Sequence, residues 1–170
     1  MPLFPAFLDL SKSTVLVVGE GHEADSKAEK MEPFCVRVER CPYPPAYEEV
    51  PALVILAEKD HPDNEAWAAH FRSLGVTVNV ADRPELCDFI FPSLIVRGDV
   101  SVGIATNGRA PALSAILRRR IEEALPEDLE AITAVAAELT HQLRKTIPDP
   151  HERGKTIRRR LEELFSGLST

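Results

Sequence analysis

Asp82 is the residue with the clearest opportunity for chemistry. In the stretch Val76 to Pro92, VTVNVADRPELCDFIFP, Val76, Val78 and Val80 alternate with Thr77 and Asn79, and the alternation stops at Asp82. A strand that delivers an acid at its C-terminal end is where open α/β sheets place their reacting groups. A carboxylate there can accept a proton or steer a cation. The same residue also suits a turn at the end of a core strand. This stretch alone leaves both readings open.

A second constellation lies near the start. The apolar run Thr14-Val15-Leu16-Val17-Val18 leads into Gly19-Glu20-Gly21 and then into a helix-compatible stretch, His22 to Met31. Strand, Gly-x-Gly and helix in this order open a dinucleotide-binding unit, in which the glycines let the backbone approach a pyrophosphate at a helix N-terminus. Ala24 occupies the third glycine position. Phe34 to Val38 reads as a second strand ending at Glu39, 18 residues past Gly21, where a ribose-binding carboxylate belongs. Against this reading, Glu20 and Glu23 place negative charge where a pyrophosphate needs positive potential. A plain strand–helix turn remains the alternative.

The elements that must position these residues alternate. Ala52 to Ala57 is a third buried strand ending in Glu58-Lys59-Asp60, and a helix with Trp67, Ala68, Phe71 and Leu74 follows, with Asp63 or Asn64 as its cap. Alternation of strand and helix implies a parallel sheet, so Gly19 to Gly21, Glu39, Glu58 to Asp60 and Asp82 are predicted along one edge. Past Pro92, Leu94-Ile95-Val96 and Val100 to Ala105 flank Arg97-Gly98-Asp99, a hairpin signal. Pro111 starts a helix with Leu113, Ile116, Leu117, Ile121 and Leu125 on one face. Two further helices are predicted, over 127–147 with an apolar stripe from Leu129 to Leu143, and from His151 to Phe165.

Bulk composition narrows the function classes. The chain has 170 residues, 44% hydrophobic and 28% charged, enough to bury a core. Its net charge of −7 and 6% aromatic content disfavour nucleic-acid binding. Residues 110–170 carry ten basic and ten acidic residues, so the acidic excess lies in the first part. No apolar run reaches membrane-spanning length, and the first residues lack the pattern of a signal peptide. Three cysteines, Cys35, Cys41 and Cys87, lack metal-site spacing and read as reduced thiols in a cytoplasmic protein.

Several stretches together resemble the precorrin-2 dehydrogenase / sirohydrochlorin ferrochelatase family, also found as the N-terminal module of siroheme synthases. They are Leu3 to Leu10, Val17 to Gly21 with Ala24 and Lys27, Asn79 to Asp82 with Pro84 to Cys87 and Phe89 to Pro92, Arg97-Gly98, Asn107-Gly108, Ala110-Pro111 and the helix from Leu117 to Pro126. The resemblance implies a Rossmann-like α/β domain over residues 1–91, a small α+β dimerisation segment over 92–125 and a helical C-terminal region over 126–170. It implies a homodimer that acts on a tetrapyrrole, oxidising precorrin-2 to sirohydrochlorin with NAD, and in many members inserting Fe2+.

The family's key aspartate falls on Asp82, which would also meet the metal transiently. The cofactor residues it implies are Gly19, Glu20, Gly21, His22, Glu23, Glu39, Glu58 and Asp60. Its substrate-facing residues fall on Asn79 and on the loop Thr106-Asn107-Gly108, and Arg97, Arg109 and Arg118 are candidates for the substrate's carboxylates.

The chain departs from the family pattern where the dinucleotide would sit. The family has three consecutive glycines at Gly19-Glu20-Gly21, Val at Glu23, and Thr-Asp-Asp at Glu58-Lys59-Asp60. Its segment between the second and third strands is longer than Arg40 to Pro51. The tetrapyrrole half therefore reads as better kept than the dinucleotide half, with weak or absent NAD binding. Three readings follow: an NAD-dependent dehydrogenase with or without ferrochelatase activity, an NAD-independent chelatase or tetrapyrrole binder, and a non-catalytic dimeric partner of another tetrapyrrole enzyme.

Overall fold

The computed structural model describes residues 3–44 and 49–168, with side chains through Leu164. The predicted contribution of Phe165 to the last helix lies outside those side chains. The chain divides into two compact units, Met1–Phe91 and Pro92–Thr170.

The first unit is a four-stranded parallel sheet of β1 (Thr14–Val18), β2 (Arg37–Cys41), β3 (Leu53–Leu56) and β4 (Thr77–Val80), in the order β2-β1-β3-β4. Helix α1 (Gly21–Met31) and helix α2 (Asn64–Ser73) connect it. β1 and β3 are apolar at almost every position because both their faces are covered. On one face Val15, Val17, Leu53 and Ile55 pack with Ala24, Ala28 and Met31 of α1. On the other, Leu16, Val18, Val54, Leu56, Val78 and Val80 pack with Ala68 and Phe71 of α2. The narrow apolar stripe of α1 thus suffices, because small residues let the helix lie close to the sheet.

The second strand differs from expectation. Residues Glu32–Phe34 form a single 3-10 turn, opened by Pro33, and the strand runs from Arg37 to Cys41. Pro33 cannot donate to a ladder, so the chain leaves α1 through a turn before it can pair with β1. Glu39 therefore sits mid-strand, opposite Leu16, rather than at the strand end.

β2 is also the outer edge of the sheet. In the six-stranded dinucleotide-binding sheet a further strand lies outside the second one. Here the chain instead returns across β1 to β3, with the Ala52 N–H donating to the Thr14 carbonyl at 2.9 Å. The shortened segment noted in the sequence corresponds to that missing outer layer.

The opposite edge, β4, is closed by the segment that follows it. Val78 and Asp88 exchange two hydrogen bonds, Asp88 N–H to Val78 O at 2.8 Å and Val78 N–H to Asp88 Oδ2 at 3.0 Å. Such side-chain satisfaction blunts an edge that would otherwise pair with another chain.

In the second unit β5 (Ser93–Arg97) and β6 (Val100–Ile104) form the predicted antiparallel hairpin. Gly98 turns it with φ of +56°, and a Cβ there would lie 2.8 Å from Glu130 Cγ, so a side chain at this position would have to displace Glu130. Helices α3 (Pro111–Ala124), α4 (Leu129–Thr146) and α5 (Pro150–Leu168) follow. Leu129, Ile132 and Leu143 of the α4 stripe are buried. The break between α4 and α5 is stabilised from both sides. Arg153 donates to the carbonyls of Ile147 and Pro148, and Asp149 accepts from the Glu152 N–H at 2.7 Å. No described helix is long and apolar enough to cross a membrane.

Candidate active site at the carboxyl edge of the sheet

The ends of β1, β3 and β4 bring three of the nominated groups to one edge. At β1, Gly19 has φ of +124° and a Cβ on it would lie 3.2 Å from the backbone nitrogen of Glu58, so this turn and the loop after β3 approach too closely for a side chain. Gly21 opens α1 with φ of +78°, and a Cβ there would meet nothing within 4 Å. No side chain caps this helix. Among the described residues the first-turn N–H groups have no side-chain cap, and an uncapped helix start behind a glycine turn suits a pyrophosphate. His22 and Glu23 are exposed in this turn, and Glu23 forms an ion pair with Lys27 at 3.3 Å, which partly offsets its charge.

Asp82 follows β4 in the left-handed region, with φ of +55°. Its side chain is 71% exposed. The turn carrying it is held from below. Arg83 N–H donates to the Val80 carbonyl at 3.3 Å. The Cys87 sulfur accepts the Val80 N–H at 3.2 Å and has the carbonyls of Val80 and Arg83 within 3.3 Å as acceptors for its own proton. Burial pushes the Cys87 thiol above its ordinary range, which keeps it protonated and able to donate. Arg83 also pairs with Glu85 and with Glu65 of α2.

Lys59, which sequence reasoning passed over, reaches Asp82: its Nζ lies 3.5 Å from Oδ2. Its loop is anchored by Asn64, one of the two residues expected at the α2 cap, which donates to the carbonyls of Glu58 at 2.7 Å and Lys59 at 3.2 Å. Asp63 occupies the cap position without a side-chain bond. Glu58 and Asp60 are exposed on the same loop. No sequence periodicity signals a lysine–aspartate contact between two loops. It follows only from the adjacency of β3 and β4.

Two nominated residues do not reach this edge. Glu39 pairs with Arg37 within β2. Being mid-strand, it stands two residues, roughly 7 Å, short of the edge. Glu39 therefore does not stand at the strand end where the ribose-binding carboxylate is predicted. Asn79 is buried, and its amide donates to the Phe89 carbonyl at 2.8 Å and to the Cys87 sulfur at 3.5 Å. It supports the Asp82 turn from inside and does not face a substrate.

The second unit holds its own polar group. Arg97 and Arg118 both turn to Glu122, at 3.6 and 2.6 Å. The Thr106 hydroxyl lies 3.1 Å from Ser114 Oγ and accepts the Ala110 N–H at 3.3 Å. Asn107 and Gly108 follow in left-handed conformations, and Arg109 stands exposed beyond them. Among the described residues, no three His, Cys, Asp or Glu side chains are arranged to hold a metal.

A parallel sheet entered through a glycine turn, with an uncapped helix behind it and an acid after its fourth strand, defines a Rossmann-like α/β unit. Residues 35–93 match a family model for NAD(P)-binding domains, and residues 97–124 match one for the central part of sirohaem biosynthesis proteins. The chain is 42% identical over 110 residues to a siroheme synthase of Methylococcus capsulatus, covering 65% of this chain and 23% of that protein. It is 31% identical over 193 aligned positions to a siroheme synthase of Psychrobacter arcticus, covering 99% and 35%. That alignment is longer than the chain's 170 residues, so the relative carries residues this chain lacks.

The solved structure of SirC, a precorrin-2 dehydrogenase, superposes with a TM-score of 0.60 at 17% identity, covering 95% of this chain and all of that one. The chain is thus similar to siroheme synthases over most of its length, and its likeness to SirC lies in the fold. It spans between about a quarter and a third of the length of these two siroheme synthases.

Proposed function

We propose that this chain oxidises precorrin-2 to sirohydrochlorin, with Asp82 as the proton acceptor. The observation that carries the reading is an exposed carboxylate presented by a tied turn on the same sheet edge as the glycine turn and the uncapped end of α1. Dehydrogenation removes a hydride and a proton from adjacent atoms of the macrocycle. Bound NAD+ supplies the hydride acceptor. The backbone N–H groups at Gly21 to Glu23 would hold its pyrophosphate.

The protein's own part is then proton transfer and orientation. Asp82 takes the proton, and the Lys59 ammonium, 3.5 Å away, orients the carboxylate. Arg109, which is exposed, is our candidate partner for a carboxylate of the substrate. Arg97 and Arg118 would have to leave Glu122 to do the same, so they are the lesser candidates.

Insertion of Fe2+ into sirohydrochlorin is a second activity for the same carboxylate. The metal there is a substrate, and the two pyrrole protons it displaces would pass through Asp82. We further propose a homodimer. Leu113, Ile116 and Leu117 of α3 lie on one apolar face and are each more than a third exposed, which is costly for a helix left in water.

Anaerobic incubation with precorrin-2, with and without NAD+, followed by sirohydrochlorin and Fe2+, tests these activities by absorbance. NAD+-dependent appearance of sirohydrochlorin is the expected result. Its absence, with siroheme still formed from supplied sirohydrochlorin, would leave the chelatase reading in its place.

A further inference from the structure

Three rings gather on the carboxyl edge of the sheet, and the mechanism above uses none of them. His61 and Trp67 are stacked, with centroids 4.2 Å apart and planes 24° from parallel. Tyr43 meets them at steep angles, its centroid 6.2 Å from His61 and 6.5 Å from Trp67. The His61 side chain is only 13% exposed, whereas Tyr43 is 63% exposed. The pair beneath is thus an internal support, and Tyr43 leaves ring surface open to solvent.

Their placement follows from the topology. Tyr43 lies two residues beyond β2, and His61 stands in the loop after β3. Both segments flank the glycine turn at the end of β1. Gly19 N–H donates to the Cys41 carbonyl at 2.8 Å, and Gly19 approaches the Glu58 nitrogen from the other side. The strand order reverses between β1 and β3. In open α/β sheets the dinucleotide lies in the crevice at that reversal, with the adenosine ribose at the end of the second strand. In this chain that end carries no ribose-binding acid, since Glu39 is two residues back and paired with Arg37.

We propose that Tyr43, backed by His61 and Trp67, is a stacking platform for the purine ring of an adenosine phosphate. It takes over the adenosine end of the dinucleotide site, where the outer strand and the strand-end carboxylate are missing. Aromatic faces bind a base without hydrogen-bond readout, so such a platform works without the lost polar contacts. The inference rests on the dinucleotide reading above, but not on the identity of the tetrapyrrole.

The test is calorimetric titration of the full chain with AMP, NAD+ and nicotinamide mononucleotide. Fluorescence of Trp67, the single tryptophan of the sequence, is followed in parallel. AMP and NAD+ should bind and perturb Trp67, and nicotinamide mononucleotide should not perturb it. Tyr43→Ala should weaken AMP binding about five- to tenfold, and Tyr43→Phe, which keeps the ring, should retain it.

Absence of AMP binding, equal binding by Tyr43→Ala, or a loss in Tyr43→Phe as large as in Tyr43→Ala would overturn the proposal. A protein that binds AMP through Tyr43 yet leaves precorrin-2 unoxidised would sink the dehydrogenase reading and leave this one standing.

Discussion

The sulfur of Cys87 lies 3.2 Å from both the nitrogen and the carbonyl oxygen of Val80, so one side chain fills the place of a neighbouring strand at the end of β4. It thereby holds the two residues that bracket Ala81-Asp82, Val80 and Arg83. The candidate acid is exposed at its tip and tied at its base. Replacing Cys87 with Ala leaves the Val80 N–H without its partner and is expected to cost about 1–3 kcal/mol of stability. Cys87→Ser, which keeps a donor and an acceptor, should recover part of it. Denaturant unfolding of both variants checks this.

For Asp82 the expectation is opposite. Its carboxylate is exposed, so Asp82→Asn should alter stability by less than about 0.5 kcal/mol. Loss of a positioned proton acceptor should slow precorrin-2 oxidation by roughly 100-fold or more. Unchanged rates in that variant would remove the assignment.

Glu39 provides the control for the dinucleotide site. As it sits within β2 and pairs with Arg37, Glu39→Gln should leave KM for NAD+ within about twofold of the original. A tenfold rise would restore it to the ribose-binding role.

The thiols set an alkaline limit on stability. Burial raises the folded-state pKa of Cys87 and Cys41 above the unfolded value. Groups shifted in that direction contribute stability in full below the unfolded thiol pKa, about 8.5. The contribution is lost as pH rises through the folded value. Urea midpoints should therefore hold between pH 7 and 8 and fall above about pH 9, and Cys87→Ala should flatten that fall.

Phe71 is fully buried between α2 and the sheet. Phe71→Ala should cost about 3–5 kcal/mol, read as a lowered unfolding midpoint.

The elements were legible wherever hydrophobic pattern and local turn chemistry agreed. The unbroken apolar runs of β1 and β3, the alternation of β4, the hairpin around Gly98 and the proline that opens α3 each carry a local signal, and each appears in the structure. The second strand was misplaced by three residues because Phe34-Cys35-Val36 is apolar but follows Pro33, and a turn consumed its first part. That shift moved Glu39 off the edge. Asn79 has the polarity of a surface residue and the alternation of a half-buried strand. Only the return of residues 84–89 along β4 makes it interior.

The sequence by itself determined the parallel α/β order, the glycine turn, the strand-end aspartate and the family resemblance, because each depends on residues close together in the chain. Tertiary structure decided which loops share the carboxyl edge. Strand order set Lys59 beside Asp82 and gathered Tyr43, His61 and Trp67 into one cluster. Those contacts join residues between 6 and 24 positions apart through the pairing of whole strands and helices, and no local pattern encodes that pairing.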